Sequence, residues 1–322
     1  MSINLKELQP HKVSTDLSGY MTYIYGPGGA GKTTFGVQAN NPLLLAFEKG
    51  YNALPGVYAQ DITSWGQMKQ VLRELKDKDV KNMFSTVVID TVDIASSLCE
   101  KYICSQLGVE NIGDGGWKVN GWSKVKKEWE ETFRTISMEG YSLIFISHSK
   151  DKKFVRKDGT EYNQIVPSCS SAYNEIIKDM VDIQAYIDVT DGERKLVLRS
   201  LDNEVECKCR FAMMEPEIPF SYDNLVSALN RAIEAEAKAT DGKFITEEKI
   251  KVVEAPTYDY TALMEEFQTI VGNLMAKDEA LYKPKIVEIT NKVLGRGKKF
   301  TECDVSQVEL MDLVVSELKT LK

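Results

Sequence analysis

The chain has 322 residues, of which 43% are hydrophobic and 27% charged, and its formal net charge is −8. This composition is that of an ordinary soluble protein, and the length allows a full α/β core beside a small second domain. The acidic balance excludes a protein that coats duplex DNA by bulk electrostatics, although it permits a local basic groove. The sequence has neither an apolar run of membrane-spanning length nor a signal-peptide core, which predicts a cytoplasmic protein without a membrane partner.

Apolar runs alternate with amphipathic helical patterns over the first 239 residues. The predicted strands are Thr22–Tyr25, Leu43–Phe47, Thr86–Asp90, Leu143–Ser147, Ile183–Val189 and Lys195–Ser200. The predicted helices are Ser64–Lys76, Ile94–Leu107, Ser123–Met138, Ala172–Met180 and Tyr222–Ala237. Continuously apolar strands of this kind are typical of a parallel sheet that is covered on both faces. The pattern predicts an α/β fold with a mostly parallel central sheet flanked by helices.

The pattern changes beyond residue 239. Residues 240–257 are polar and charged, and Asp241, Gly242 and Pro256 interrupt regular structure there, so this segment is predicted to be a linker. Apolar periodicity then predicts helices over Tyr260–Met275, Lys283–Leu294 and Val308–Leu321. Residues 258–322 are therefore predicted to form a small all-helical C-terminal domain.

A complete phosphate-binding loop pattern, G-x-x-x-x-G-K-[ST], lies between the first predicted strand and a helical segment. Its residues are Gly26, Pro27, Gly28, Gly29, Ala30, Gly31, Lys32 and Thr33, and Thr34 follows. Glycines let backbone N–H groups curl around phosphate oxygens, and a helix N-terminus favours negative charge. Lys32 is predicted to reach the β- and γ-phosphates and the Thr33 hydroxyl to ligate Mg²⁺. The complete motif in this context favours ATP and Mg²⁺ binding over a glycine-rich turn that binds nothing.

Asp90 supplies the second group that a phosphate-binding loop needs. It ends Thr86–Asp90, an apolar strand later in the chain than the loop and predicted to neighbour it, where an acid holds Mg²⁺ through water, and Thr91 or Asp93 can assist. An acid that merely ends a strand is the alternative. Its place after the loop favours the metal role.

Two other polar residues end predicted strands of the same sheet. Glu48 follows the second strand, where a carboxylate can polarise the water that attacks ATP. His148 follows the fourth strand, where a polar side chain can sense the γ-phosphate and report it to the next loop. Spacing alone leaves open a surface acid at Glu48 and a hydrogen-bonded core residue at His148.

Taken in this order, these residues resemble the RecA-type ATPase core, and in particular small phage RecA-like proteins described as single-strand annealing recombinases. The resemblance rests on Gly26–Thr34, Phe47–Gly50, Val87–Thr91 and Leu143–His148, and it covers roughly Val13–Ile233. It implies that Glu48 activates water and that His148 couples ATP to DNA binding.

The resemblance also implies an oligomer, a ring or filament with ATP at the subunit interfaces. RecA carries two basic residues, one residue apart in a late strand, that reach the neighbour's γ-phosphate. Lys208 and Arg210 match that pattern and are the predicted finger pair acting on a neighbouring subunit. Two exposed cations at a strand end are the alternative, and the sequence does not separate the two.

Two segments match the DNA-binding loops of the RecA core in their places along the chain. The first is the glycine-rich stretch 111–122, where Trp117 and Trp122 can stack on unpaired bases beside Lys118. The second directly follows His148 and ends at a hairpin-type turn, Asp158-Gly159. Its candidate DNA-binding residues are Lys150, Lys152, Lys153, Phe154, Arg156 and Lys157.

The sequence therefore predicts a Mg²⁺-dependent, DNA-dependent ATPase that binds single-stranded DNA and promotes phage DNA annealing or recombination in the host cytoplasm, with a single-strand-binding protein as a further partner. Because RecA's N-terminal oligomerisation helix is not evident, annealing fits better than strand exchange. A ring helicase or helicase loader, a small-molecule P-loop kinase and a non-hydrolysing nucleotide-gated binding protein are the alternatives.

Overall fold

The computed structural model describes residues 6, 8–114, 116–200, 202–238, 244–248 and 257–321, and for Trp117 the backbone alone. The chain divides into two compact units. One unit spans residues 10–254, and the other comprises residues 255–322 with 1–9.

Regular elements follow one another in the order expected of an α/β protein. The strands are β1 (Val13–Ser14), β2 (Thr22–Gly26), β3 (Pro42–Ala46), β4 (Ala59–Asp61), β5 (Thr86–Asp90), β6 (Ser142–Val155), β7 (Glu161–Pro167), β8 (Ile183–Thr190), β9 (Glu193–Val197), β10 (Lys208–Cys209), β11 (Glu217–Pro219) and β12 (Ile245–Thr246). The helices are α1 (Lys32–Gly36), α2 (Trp65–Glu74), α3 (Lys78–Met83), α4 (Val92–Leu107), α5 (Gly116–Val119), α6 (Gly121–Met138), α7 (Ser171–Met180), α8 (Tyr222–Lys238), α9 (Tyr260–Leu294) and α10 (Val308–Leu318).

The central sheet has the strand order β11-β9-β8-β2-β6-β5-β3-β4. The strands from β8 to β4 run parallel, whereas β9 and β11 are antiparallel additions at one edge. Register aligns Gly26 with His148 and Ala46 with Asp90. Because parallel strands end at the same side, the phosphate loop and the three predicted strand-end residues lie along one edge of the sheet. That edge is called the carboxyl edge below.

Both faces of the sheet are buried, as the continuously apolar strands predict. Side chains alternate along each strand: Tyr23, Leu45, Ile89 and Phe145 face helices α2, α4, α6 and α7, and Ile24 faces α1 and α8. On the face covered by α2, α4, α6 and α7, the rings of Trp65 and Trp129 stack with centroids 5.7 Å apart. Fully burying a Leu, Ile or Phe side chain, such as Leu45, Ile89 or Phe145, contributes about 1.5–3 kcal/mol. The predicted α/β class with a mostly parallel, helix-flanked sheet is confirmed.

The basic segment after His148 is not the loop that the sequence predicted. Strand β6 continues eight residues beyond Ser147 and pairs with β7 in an antiparallel hairpin, in which Phe154 lies opposite Tyr162. Lys152, Phe154 and Arg156 recur every second residue, which suits a strand rather than a coil. The hairpin turn predicted at Asp158-Gly159 is present, with Gly159 at φ +85°.

The glycine-rich stretch 111–122 also differs from the predicted loop. It contains the short helix α5, and α6 begins at Gly121, so Trp122 stands on the first turn of a helix. The close approach of Gly121 explains the glycine, because a Cβ there would lie 2.4 Å from the carbonyl oxygen of Ile112.

The C-terminal residues are helical, as predicted, and α9 breaks at Asp278, whose backbone is not helical, so its two parts match the first two predicted helices. Phe267 of α9 stacks on Phe300 at 3.9 Å, and α10 contributes Met311 and Val315 to the same small core. The predicted linker 240–257 is described at residues 244–248 and 257, where β12 pairs in parallel with β1. The rest of the linker lies outside the described residues. Among the helices that the structure describes, none is long and apolar enough to span a membrane.

Candidate nucleotide site

The phosphate loop follows β2 at the carboxyl edge and leads into α1. Gly29 and Gly31 have φ values of +74° and +96°, which L side chains rarely adopt, so the loop path depends on glycine at both positions. The Lys32 ammonium reaches back across the loop and donates to the carbonyl oxygens of Gly26 (3.0 Å) and Pro27 (2.8 Å). Burial lowers the pKa of Lys32, and the nearby carboxylates of Asp90 and Glu48 oppose that shift.

Thr33 and Asp90 meet at the base of the loop, as the metal prediction requires. The Thr33 hydroxyl donates to Asp90 Oδ2 over 2.6 Å. Gly50 leaves the space beside them open, because a Cβ there would lie 3.0 Å from Thr33 Oγ1 and 3.8 Å from Asp90 Oδ2. A hydroxyl and a carboxylate are the hard oxygen donors that Mg²⁺ prefers. The residues present therefore fit a Mg²⁺ ion held by Thr33 and, through water, by Asp90.

Asp90 is 2% exposed, and this burial raises the pKa of its carboxyl from 3.8 to about 6, although the hydrogen bond from Thr33 and the charge of Lys32 act in the opposite direction. The folded protein thus binds a proton at Asp90 more readily than the unfolded chain does. Above pH 6 the ionised carboxylate destabilises the free protein, and this destabilisation is relieved as the pH falls toward 4. A bound cation is the other way to relieve it.

We expect Asp90→Asn to stabilise the protein without metal or nucleotide at pH 7.5, by about 2–3 kcal/mol, because the amide carries no charge to bury. The gain should shrink as the pH is lowered from 6 to 4. Urea unfolding in EDTA at several pH values measures it. Loss of stability in the variant at pH 7.5, or a gain independent of pH, would contradict the prediction.

Glu48 and His148 lie together at the carboxyl edge. The imidazole Nε2 is 3.4 Å from the Glu48 carboxylate, and both side chains are partly exposed. The backbone N–H of Glu48 lies 3.3 Å from the Asp90 carbonyl oxygen, so the acid is held beside the predicted metal residues. The structure therefore brings together five residues that were predicted from separate segments of the chain: Lys32, Thr33, Glu48, Asp90 and His148.

Asp93 was predicted to assist Asp90 in holding Mg²⁺, and that role stays a prediction; its carboxylate accepts hydrogen bonds at the base of the basic hairpin. Its Oδ1 accepts hydrogen bonds from the hydroxyls of Ser147 and Ser168, and its Oδ2 accepts from the His148 N–H at 3.3 Å. Ser147 lies where β6 leaves the central sheet, and Ser168 directly follows β7. The Asp93 carboxylate thus bonds to residues at both ends of the basic hairpin formed by β6 and β7.

Lys208 and Arg210 lie at the opposite edge of the sheet from the phosphate loop. Lys208 pairs with Gln184 at the start of β8, and both cations donate to carbonyl oxygens at the end of α7, Lys208 to Lys178 and Arg210 to Asp179. Cations at a helix C-terminus satisfy its last carbonyl groups. Within their own chain these residues cap a helix. Their predicted action on a neighbouring subunit stays a prediction.

The predicted DNA-binding residues of the hairpin separate onto two faces. Lys150, Lys152 and Phe154 share one face with Tyr162, and the Phe154 and Tyr162 rings stack at 5.6 Å. Cations cover this stack: Lys152 Nζ lies 5.0 Å from the Phe154 ring and the Arg156 guanidinium 4.8 Å from the Tyr162 ring. The name cation–aromatic face is used below for five residues: Lys150, Lys152, Phe154, Arg156 and Tyr162. Tyr162 was not predicted, although the hairpin turn places it opposite Phe154.

The other predicted DNA-binding residues lie elsewhere. Lys153 is on the opposite face of the hairpin, ion-paired with Glu161, and Lys157 is exposed in the turn. Lys118 is exposed on α5, and Trp122 is 48% exposed at the start of α6. Because α6 ends just before β6 begins, its first turn points toward the carboxyl edge. The side chain of Trp117 lies outside the described residues.

The site defines a P-loop ATPase domain. A phosphate loop joins a strand to a helix, and a buried acid ends the next strand but one in the sheet. The chain belongs to the AAA domain family, whose profile matches residues 18–211. It is also 31% identical over 333 residues to the SPbeta prophage-derived uncharacterized protein YorG of Bacillus subtilis (strain 168), a match that covers 100% of this chain and 99% of that protein.

Proposed function

We propose that this protein is a phage-encoded, RecA-type ATPase that binds single-stranded DNA and promotes annealing or recombination. The observation that carries the proposal is the position of His148. It pairs with Gly26 of the phosphate loop, lies 3.4 Å from Glu48, and stands at the base of the basic hairpin. A displacement of His148 on binding or hydrolysis of ATP can therefore reach the hairpin, whose surface is suited to nucleic acid. The prophage origin of the relative supports the phage assignment.

The proposed hydrolysis uses residues already gathered at the carboxyl edge. The loop N–H groups and Lys32 bind the β- and γ-phosphates, and Lys32 exchanges its bonds to the Gly26 and Pro27 carbonyls for phosphate oxygens. Glu48 orients a water molecule toward the γ-phosphate and accepts its proton. Thr33 and Asp90 would hold Mg²⁺, which would neutralise negative charge on the phosphates when bound. His148 contacts Glu48 and so responds to whether the γ-phosphate is present.

Asp93 extends this response to the hairpin. Since it bonds Ser147, Ser168 and the His148 N–H, any displacement of His148 on ATP binding changes the support at both ends of the hairpin. Such a connection between the γ-phosphate and a surface element is how many nucleotide switches act. In the proposed cycle ATP sets the hairpin for DNA and hydrolysis releases it.

The cation–aromatic face has the chemistry that single-stranded DNA needs. Aromatic rings stack on bases of any sequence, and lysine and arginine bind the phosphate backbone. The net charge of −8 fits this picture, because the attraction is local and the rest of the surface does not compete for duplex DNA. Assembly into a ring or filament, with Lys208 and Arg210 reaching a neighbour's nucleotide, belongs to the proposal through the RecA resemblance alone.

Phe154→Ala is expected to weaken binding of single-stranded DNA in the presence of ATP by about five- to a hundredfold, since one base–aromatic stack contributes about 1–3 kcal/mol. Fluorescence anisotropy with a labelled oligo(dT) measures the affinity. Val155→Ala is the matched control, because Val155 is 66% exposed on the opposite face of the same strand. Tyr162→Phe, which keeps a ring, should retain most of the affinity. Equal loss in both alanine variants would argue against the face.

Phosphate release from ATP, measured with and without single-stranded DNA, tests the proposal as a whole. Stimulation by DNA supports it and justifies annealing assays on complementary strands. Turnover that DNA does not change would overturn the DNA-dependent reading and direct attention to kinase acceptors. Directional unwinding of a forked substrate would instead indicate a helicase.

A further inference from the structure

Arg194 lies against the phosphate loop, although no sequence motif includes it. It is exposed on β9, and its Nη1 is 3.3 Å from the carbonyl oxygen of Ala30, to which it donates. The same atom lies 2.8 Å from the place where a Cβ on Gly31 would stand. The guanidinium therefore rests over the glycine that directly precedes Lys32, in the loop whose backbone N–H groups are predicted to hold the phosphates.

The surrounding residues hold this arginine in place. Its guanidinium lies over the Phe220 ring at 5.3 Å, and the Phe220 ring stacks on buried Phe35 of α1 at 5.6 Å. The Phe220 N–H donates to the Arg194 carbonyl oxygen over 3.0 Å. On the other side, β9 is tied to β8 by a two-residue turn, Asp191-Gly192, with both φ values positive, which is the turn type that suits a tight hairpin. The position is thus set by strands and by the first helix after the loop.

The positive charge of Arg194 is available to bind an anion. Within the described residues, Arg194 forms no ion pair with an acidic side chain, and its guanidinium donates to a carbonyl oxygen. The ammonium of Lys32, two residues after Ala30, brings a second positive charge to the same loop. The carboxylates of Asp90 and Glu48 offset the charge of Lys32, and an anion bound beside Arg194 would offset the second cation. A polyphosphate is an anion of suitable charge and length.

We propose that Arg194 is a nucleotide-binding residue that contacts the phosphates of ATP held on the phosphate loop of its own subunit. On binding, the guanidinium exchanges the Ala30 carbonyl for phosphate oxygens, and its planar fork can donate two parallel hydrogen bonds. The proposal rests on nucleotide binding and not on the DNA activity. It assigns to this chain a cation of its own, independent of any that a neighbouring subunit supplies.

Isothermal titration of the full chain with ATP, with Mg²⁺ and again in EDTA, tests the proposal without any activity measurement. Arg194→Ala should weaken ATP binding at least tenfold in both conditions, and Arg194→Lys should fall between it and the wild type, because lysine lacks the fork. Lys195→Ala is the matched control. Lys195 is the next residue on β9, its side chain points to the other sheet face, and it pairs with Glu217 at 3.8 Å. Its affinity should be unchanged.

A second measurement on the unaltered chain covers the case in which Arg194→Ala does not fold. Phenylglyoxal modifies accessible arginines, and mass spectrometry locates the adducts. Saturating ATP should protect Arg194 at least fivefold and leave unchanged the modification of Arg231, which lies on α8 and pairs with Glu215. Equal modification of Arg194 with and without ATP, or ATP affinity in Arg194→Ala equal to wild type, would overturn the proposal. ATP binding without any response to DNA would instead leave it standing and count against the DNA function.

Discussion

Lys32→Ala is expected to remove ATP hydrolysis, lowering kcat/KM by at least about a hundredfold, because a positioned cation at the transferring phosphoryl group typically contributes that much. In the structure its ammonium is buried within the loop and bonded to the carbonyls of Gly26 and Pro27. Water can donate to those two carbonyls in place of the ammonium when the side chain is absent. We therefore expect phosphate release to vanish while the unfolding temperature stays close to that of the wild type.

The neighbouring surface offers a control for this variant. Lys49 is exposed next to Glu48, so Lys49→Ala removes one positive charge near the site without touching the loop. It should keep wild-type turnover within about twofold, since exposed charges interact weakly in water. Hydrolysis that persists in Lys32→Ala would mean that the loop does not bind the reacting phosphates, and the whole assignment of the carboxyl edge would have to be given up.

Glu48→Gln is expected to separate binding from chemistry. Glutamine has the shape of glutamate and can still contact His148, but it cannot accept the proton of the attacking water. General-base catalysis contributes about 10²–10⁴-fold, so kcat should fall by that factor while ATP affinity changes little. Single-turnover hydrolysis and a nucleotide titration of the same preparation measure the two quantities.

The consequence for DNA makes this variant informative. If hydrolysis resets the hairpin, Glu48→Gln should hold single-stranded DNA longer in ATP than the wild type does, with a slower release rate. Glu74→Gln, at an exposed position near the end of α2, is the matched substitution and should leave both rates unchanged. Unaltered kcat in Glu48→Gln would identify Glu48 as a surface acid, which was the simpler interpretation of its spacing.

The sequence alone was sufficient for features that depend on neighbouring residues. The phosphate loop is a contiguous motif whose glycines and lysine act within eight positions, so its place and the fold around it could be predicted. Apolar strands buried on both faces are recognisable for the same reason, because burial on both sides removes the alternation of polar residues. The shared edge of Glu48, Asp90 and His148 also follows from parallel strands ending together.

The hairpin shows where prediction from local pattern stopped being sufficient. A run rich in lysine was predicted to be a loop because its place after His148 matches a DNA-binding loop of the RecA core, yet a strand also exposes alternate residues. Its pairing with Glu161–Pro167 decides between the two, and that pairing depends on the turn and on the Phe154–Tyr162 contact. The separation of Lys152 from Lys153 onto opposite faces could be assigned only once the strand was known.

Contacts between residues far apart in the chain were decided by the tertiary structure alone. Arg194 meets Ala30 across 164 positions and Ser168 meets Asp93 across 75, and neither pair has a sequence signal. Lys208 and Arg210 matched a motif, but strand register carried them to the edge opposite the loop. The sequence by itself determined the class of the fold and the phosphate-binding loop, because those depend on short-range pattern. Which cations lie beside that loop, and what supports the hairpin, depend on register and packing, which no local pattern encodes.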